Sequence, residues 1–98
     1  MNKTEEKYSC VKCERRHADR IEYEYILSVR ESDQLASFHL PLYSVRVVMT
    51  GADGESRDAE LTDAFISPKQ AFAFFDRIVD NLATPIDLPF VYEDELWK

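Results

Sequence analysis

The sequence predicts an α+β fold, an antiparallel meander of three or four strands followed by one long and one short helix packed on one face. Three observations predict it. Alternating strand-like runs fill roughly the first two thirds of the chain, a capped amphipathic helix follows over residues 67–82, and both glycines fall in one turn between two of the runs. Strands grouped before helices, rather than alternating with them, indicate a two-layer sandwich and exclude a parallel doubly wound sheet. Ninety-eight residues with 45% hydrophobic content supply one globular core and leave no room for a second. The expected organisation is a polar N-terminal segment over residues 1–19, with room for a short first strand, and a single α+β domain over residues 20–98.

That first strand, Lys7 to Cys13, turns through Glu14 to Asp19 into the next. From Ile21 onward Ile21, Tyr23, Tyr25, Leu27 and Val29 hold one parity, and Glu22, Glu24, Ile26, Ser28 and Arg30 hold the other. This is a strand with one wet face. Glu31 to Gln34 reads as a loop. Phe38, Leu40, Tyr43, Val45, Val47 and Met49 then resume an alternation that breaks at Pro41, and the break implies a bulge or an edge position because proline has no ladder donor. Asp53-Gly54 supplies the positive φ that a tight hairpin needs, so a further strand near Asp58 to Thr62 pairs antiparallel with the last.

The long helix starts at Ser67-Pro68, an N-cap followed by a proline where a missing amide donor costs little. At 100° per residue Ala71, Phe72, Phe75, Ile78, Val79 and Leu82 fall within about 60° of Phe75, while Lys69, Gln70, Arg77, Asp80 and Asn81 lie opposite. Ala83-Thr84-Pro85 ends it. Asp87 is expected to cap the short helix, with Pro89 in its first turn. On that helix Leu88, Leu96 and Val91 share the side of Tyr92, and Phe90 and Trp97 project about 140° to 160° away beside Asp94. A helix this short cannot bury both sides against one sheet. Either the far aromatics pack on the first helix or a loop, with Trp97 fraying at the terminus, or they form an exposed apolar spot, and the interaction surface expected is then Phe90, Asp94 and Trp97.

These runs also resemble a family. Glu22-Tyr23-Glu24-Tyr25-Ile26-Leu27, Tyr43-Ser44-Val45-Arg46-Val47, Asp63-Ala64-Phe65-Ile66-Ser67, the helix, and Thr84-Pro85-Ile86-Asp87-Leu88 with Glu93-Asp94 resemble a small uncharacterised domain family of clostridial-type Gram-positive bacteria. The likeness runs from about Arg20 to Leu96. The chain departs from it at Ser44, where the resemblance implies a glycine. No activity comes with the family.

Charge narrows the partners. Residues 1–20 carry six Lys or Arg against four acids (+2) and residues 21–98 carry six against fifteen (−9). Phosphate backbones repel so acidic a body, which disfavours nucleic acid, and the interrupted cluster Lys12, Glu14, Arg15, Arg16, Arg20 reads as a solvated tail or turn. The absence of an apolar leader or a ~20-residue apolar run points to a cytoplasmic protein that does not enter a membrane. Its two cysteines are then expected as free thiols.

Cys10-x-x-Cys13, with His17 and His39 downstream, is the one grouping of metal-ligand types. In a strand, positions i and i+3 point to opposite faces, and the spacer Val11-Lys12 lacks the glycine or proline of a zinc knuckle. A thioredoxin-like pair would need a helix starting at Cys10, and none does. No serine stands in a nucleophile elbow, and no glycine-rich loop exists to cradle phosphate. Glu22 with Glu24, Asp53 with Glu55, and Glu93-Asp94-Glu95 read as solvated charges. The function expected is a non-catalytic interaction or regulatory module without a cofactor, meeting a protein partner or a second copy of itself. The alternative is a small metal-binding protein using Cys10, Cys13 and His17, with His39 as a further ligand. Whether a small molecule binds is left open.

Overall fold

A computed structural model of the protein describes residues 8–32 and 40–96. Four strands, β1 (Ser9–Ala18), β2 (Ile21–Ser32), β3 (Leu40–Thr50) and β4 (Ser56–Phe65), precede two helices, α1 (Pro68–Asp80) and α2 (Leu88–Leu96). The sheet is a meander in the order β1-β2-β3-β4, with every neighbouring pair antiparallel. This is the α+β architecture expected from the alternation. Phe38, His39 and the loop residues Asp33 and Gln34 lie outside the described residues.

The boundaries differ from expectation in instructive ways. β1 continues through the segment expected to turn, and reverses only at Asp19 and Arg20, with φ of 52° and 66°. Ala18 and Ile21 face each other across this two-residue turn, whose paired positive φ values are the type I′ geometry that matches strand twist. The turn escaped notice because neither residue is glycine. The basic cluster is accordingly not a tail: Lys12 pairs with Asp76 at 3.1 Å, Arg15 with Glu24 at 3.4 Å and Arg16 with Glu14 at 3.1 Å.

Pro41 lies in β3 opposite Glu31. β4 stops pairing at Phe65 opposite Tyr43, so among the described residues the strand end that holds Pro41 has a neighbour on one side only, the edge position that proline tolerates. The β3–β4 turn closes as expected, through Gly51 N to Glu55 O at 2.9 Å and Gly54 N to Gly51 O at 3.0 Å, with Gly54 at φ 86°. β4 is longer than the expected Asp58 to Thr62 because it passes through an irregularity at 62–64, where the register shifts between Val45 opposite Leu61 and Tyr43 opposite Phe65.

The core lies between the sheet and α1. Tyr25, Leu27, Val45, Val47 and Phe65 from the strands meet Ala71, Phe74, Phe75, Ile78 and Val79, all buried. Ser67 Oγ accepts from Gln70 N at 3.2 Å, so the cap is the one the sequence signals. The buried side of α1 is rotated from the expected arc: Phe74 is buried while Phe72 and Leu82 are only partly so. Phe74 stands on the flank covered by β4 and α2, with ring centroids 5.1 Å from Phe65 and 6.1 Å from Tyr92. Nor does Arg77 point freely outward, since it pairs with Asp94 at 2.8 Å and Glu95 at 2.9 Å.

α1 ends before the proline can act. Leu82 N donates to Val79 O at 3.2 Å and Ala83 N to Ile78 O at 2.9 Å, with Leu82 at φ 50°. This is a Schellman closure with leucine in the left-handed position that glycine usually takes. Pro85 instead opens the next helical turn. Thr84 N donates to Asp87 Oδ2 at 3.1 Å and Asp87 N to Thr84 Oγ1 at 3.3 Å, a reciprocal capping box with Thr84 as the cap. Asp87, expected as the cap itself, also accepts backbone bonds from Phe90 and Val91 at 3.0 Å.

Candidate interaction surface

α2 is held by one side. Leu88 is buried, Val91 and Tyr92 are partly buried against the core, and Tyr92 donates its hydroxyl to Ala64 O at 2.9 Å. Its ring meets Phe65 edge-on with centroids 5.4 Å apart. Arg77 clamps the acidic end from α1 through Asp94 and Glu95. The other side is left to solvent: Phe90 is 66% exposed and Ile86 67%. Ile86 stands in the turn that leads into α2, four residues before Phe90. Leu96, expected on the packed side, is 61% exposed, because the helix end runs past the core that buries Leu88.

Of the expected surface, then, Phe90 lies open, Asp94 is exposed but shared with Arg77, and Trp97 lies outside the described residues. Ile86 was missed. It stands before the helix both as expected and as found, in the turn closed by the Thr84 and Asp87 capping box, where a helical wheel assigns no side. Asp87 and Glu93 flank Phe90 three residues to either side, and α2 contains no basic residue.

The cysteines present a different picture from the one the spacing implies. β1 pairs Cys10 with Ser28 but Lys12 with Leu27, so Val11 is an inserted residue, and Cys13 then faces Ile26. Ser28 and Ile26 share the parity of Glu24, so the bulge returns both thiols to the sheet face opposite the helices, where a regular strand would have separated them. Both cysteines are exposed and free. Cys13 donates its thiol to Glu24 Oε2 at 3.6 Å, and partial burial followed by this carboxylate raises its pKa. His17 lies opposite Glu22, and His39 lies outside the described residues. Among the described residues no group of three or more His, Cys, Asp or Glu is arranged to hold a metal ion.

A polar cluster at the β4 irregularity was invisible in the sequence. Asp63 adopts φ 52°, donates its amide to Ser44 Oγ at 2.8 Å, and accepts both forks of Arg30 at 3.1 and 2.6 Å. The Tyr8 hydroxyl adds a bond at 3.1 Å. Hydrogen bonds from Arg30, then from Tyr8, hold the Asp63 carboxyl below its ordinary pKa. Ser44 is 2% exposed. Its hydroxyl satisfies the out-of-register amide at the position where the family resemblance implies a glycine, which gives this cluster a structural purpose.

A hollow of about 220 Å³ opens beside the β3–β4 turn, lined by Ile21, Met49, Gly51, Asp53, Glu55 and Arg57. Asp53 Oδ1 accepts from Glu55 N at 3.1 Å, tying part of the rim to the turn. Arg57 makes no side-chain hydrogen bond or ion pair among the described residues. No helix among the described residues is long and apolar enough to cross a membrane.

Residues 3–98 match the model of the Family of unknown function (DUF6514), and the chain belongs to that family. No curated protein and no solved structure matches it.

Proposed function

We propose that this member of DUF6514 is a non-catalytic interaction or regulatory module of the cytoplasm, binding a protein partner or a second copy of itself through the outer side of α2. The observation that carries the reading is the pair of large apolar side chains, Phe90 on α2 and Ile86 in the turn before it, left two thirds exposed while the other side of α2 is anchored to the core. Exposed apolar surface of this kind, centred on an aromatic and rimmed by charge, is what contact surfaces present. The surrounding acids favour a partner with basic residues at its rim, and the −9 balance of residues 21–98 favours a protein surface over nucleic acid.

Affinity capture from the source cell tests this with wild type and Phe90→Asp side by side, each first matched by circular dichroism and thermal midpoint. A partner retained by wild type and lost by the variant supports the reading. Identical capture by the two folded proteins removes it.

A further inference from the structure

We propose that Cys10 and Cys13 hold a soft monovalent cation, Cu(I), between two thiolates on the sheet face opposite the helices. The inference is independent of the contact at α2.

The bulge at Val11 is the first observation. Lys12 belongs to the helix side, since its ammonium meets Asp76 at 3.1 Å and lies 5.6 Å from the centroid of the Phe75 ring. Cys13 follows on the other side, opposite Ile26, and the inserted Val11 returns Cys10 to that same side, opposite Ser28. Both thiols are exposed and free, so an ion reaches them directly from solvent.

Spacing chooses the kind of occupant. Ser28 and Ile26 are two residues apart, about 6.7 Å along β2, and the cysteines that face them are separated by about as much. Side chains standing side by side on one face keep their Cβ atoms at a similar distance, whereas a disulfide draws the Cβ atoms to roughly 3.8 Å. Closing that gap would bend the strand. An ion asks less, because two metal–sulfur bonds of about 2.3 Å span roughly 4.6 Å, which two cysteine side chains reach by leaning toward each other.

Ligand number chooses the ion. Among the described residues no third His, Cys, Asp or Glu joins the pair in an ion-holding group. His17, opposite Glu22, lies four residues beyond Cys13, roughly 13 Å along the strand. Zinc takes four ligands in structural sites, while Cu(I) is a soft ion that thiolates select and that two of them in a line satisfy. Loading forms two sulfur–copper bonds, releases both thiol protons to water and moves no electron. The Cys13 thiol gives up its bond to Glu24 Oε2, and Glu24 keeps Arg15 at 3.4 Å. Arg15, opposite Glu24 on the same face and two residues from Cys13, offsets the negative charge of the copper bis-thiolate.

Anaerobic titration of Cu(I), buffered by a chromogenic chelator, into reduced wild type, Cys10→Ser, Cys13→Ser and His17→Ala tests the proposal, with folding checked by circular dichroism. Wild type should take one Cu(I) per chain, with its sedimentation unchanged by loading. Each serine variant should bind more weakly by more than about a hundredfold, beyond what the loss of a supporting contact costs, and His17→Ala should match wild type. X-ray absorption on the loaded wild type should show two sulfur neighbours and no nitrogen or oxygen. The proposal is overturned by a wild type that takes no Cu(I) from the chelator, by a serine variant that binds as wild type does, or by a His17→Ala protein as weak as the serine variants. Copper that joins two chains overturns it as well.

Discussion

The two helices of this domain have opposite relations to the sheet. α1 buries Ala71, Phe74, Phe75, Ile78 and Val79, whereas α2 buries Leu88 alone and leaves Phe90 open. α1 is capped at Ser67 and closed by a Schellman turn. α2 relies on a capping box, one tyrosine hydroxyl and an arginine clamp to stay in place. The difference teaches that the apolar content of a helix does not by itself tell its role. α1 spends its aromatics on the core, and α2 carries an aromatic that the core does not use.

The comparison breaks if Phe75→Ala is tolerated. Phe75 is fully buried at the centre of the packed side, and truncating such a residue typically costs ~3 to 5 kcal/mol. Denaturant midpoints measure it, and a shift no larger than that of Phe90→Ala would mean that the two helices are equally peripheral.

Tyr25→Phe sharpens the comparison at the joint between the helices. The buried Tyr25 hydroxyl donates to Ala83 O at 2.9 Å, and removing it leaves that carbonyl unsatisfied at a cost of ~1 to 3 kcal/mol. Burial pushes the phenol up to about 12. The unfolded chain loses this proton at roughly 10, so the contribution of the neutral phenol is complete below that pH and is lost as pH rises toward about 12. Stability measured across this window should fall for wild type and fall less for Tyr25→Phe.

Arg77→Ala removes the clamp between α1 and α2. Its partners Asp94 and Glu95 are held at 2.8 and 2.9 Å, but Asp94 is well exposed, so the loss is expected to be small, below that of either buried substitution. The wild-type thermal midpoint should exceed that of the variant at low salt and approach it at high salt. The smallest effect belongs to Phe90→Ala, within about 0.5 kcal/mol as for other surface positions. A larger destabilisation would show that Phe90 serves folding rather than contact.

The sequence alone determined the order of elements. Alternation over 21–30, the Asp53-Gly54 turn, the Ser67-Pro68 start and the apolar repeat of α1 are local properties, set by the backbone periods of strand and helix and by the few residues that suit caps and turns. Phe90 was separable from Leu88 for the same reason. Only the tertiary structure decided the rest. The inserted Val11 and the irregularity at 62–64 arise from pairing with strands distant in sequence, and they decide which face Cys10, Cys13 and Asp63 occupy. Phe74 is buried because Phe65 and Tyr92 close over its flank, and Arg77 is engaged because α2 crosses beside it. The hollow likewise exists only where Ile21 and Met49 from neighbouring strands meet the β3–β4 turn. A helical wheel or a strand parity records the direction of a side chain about its own axis, and what stands in that direction depends on the free energy of packing whole elements together.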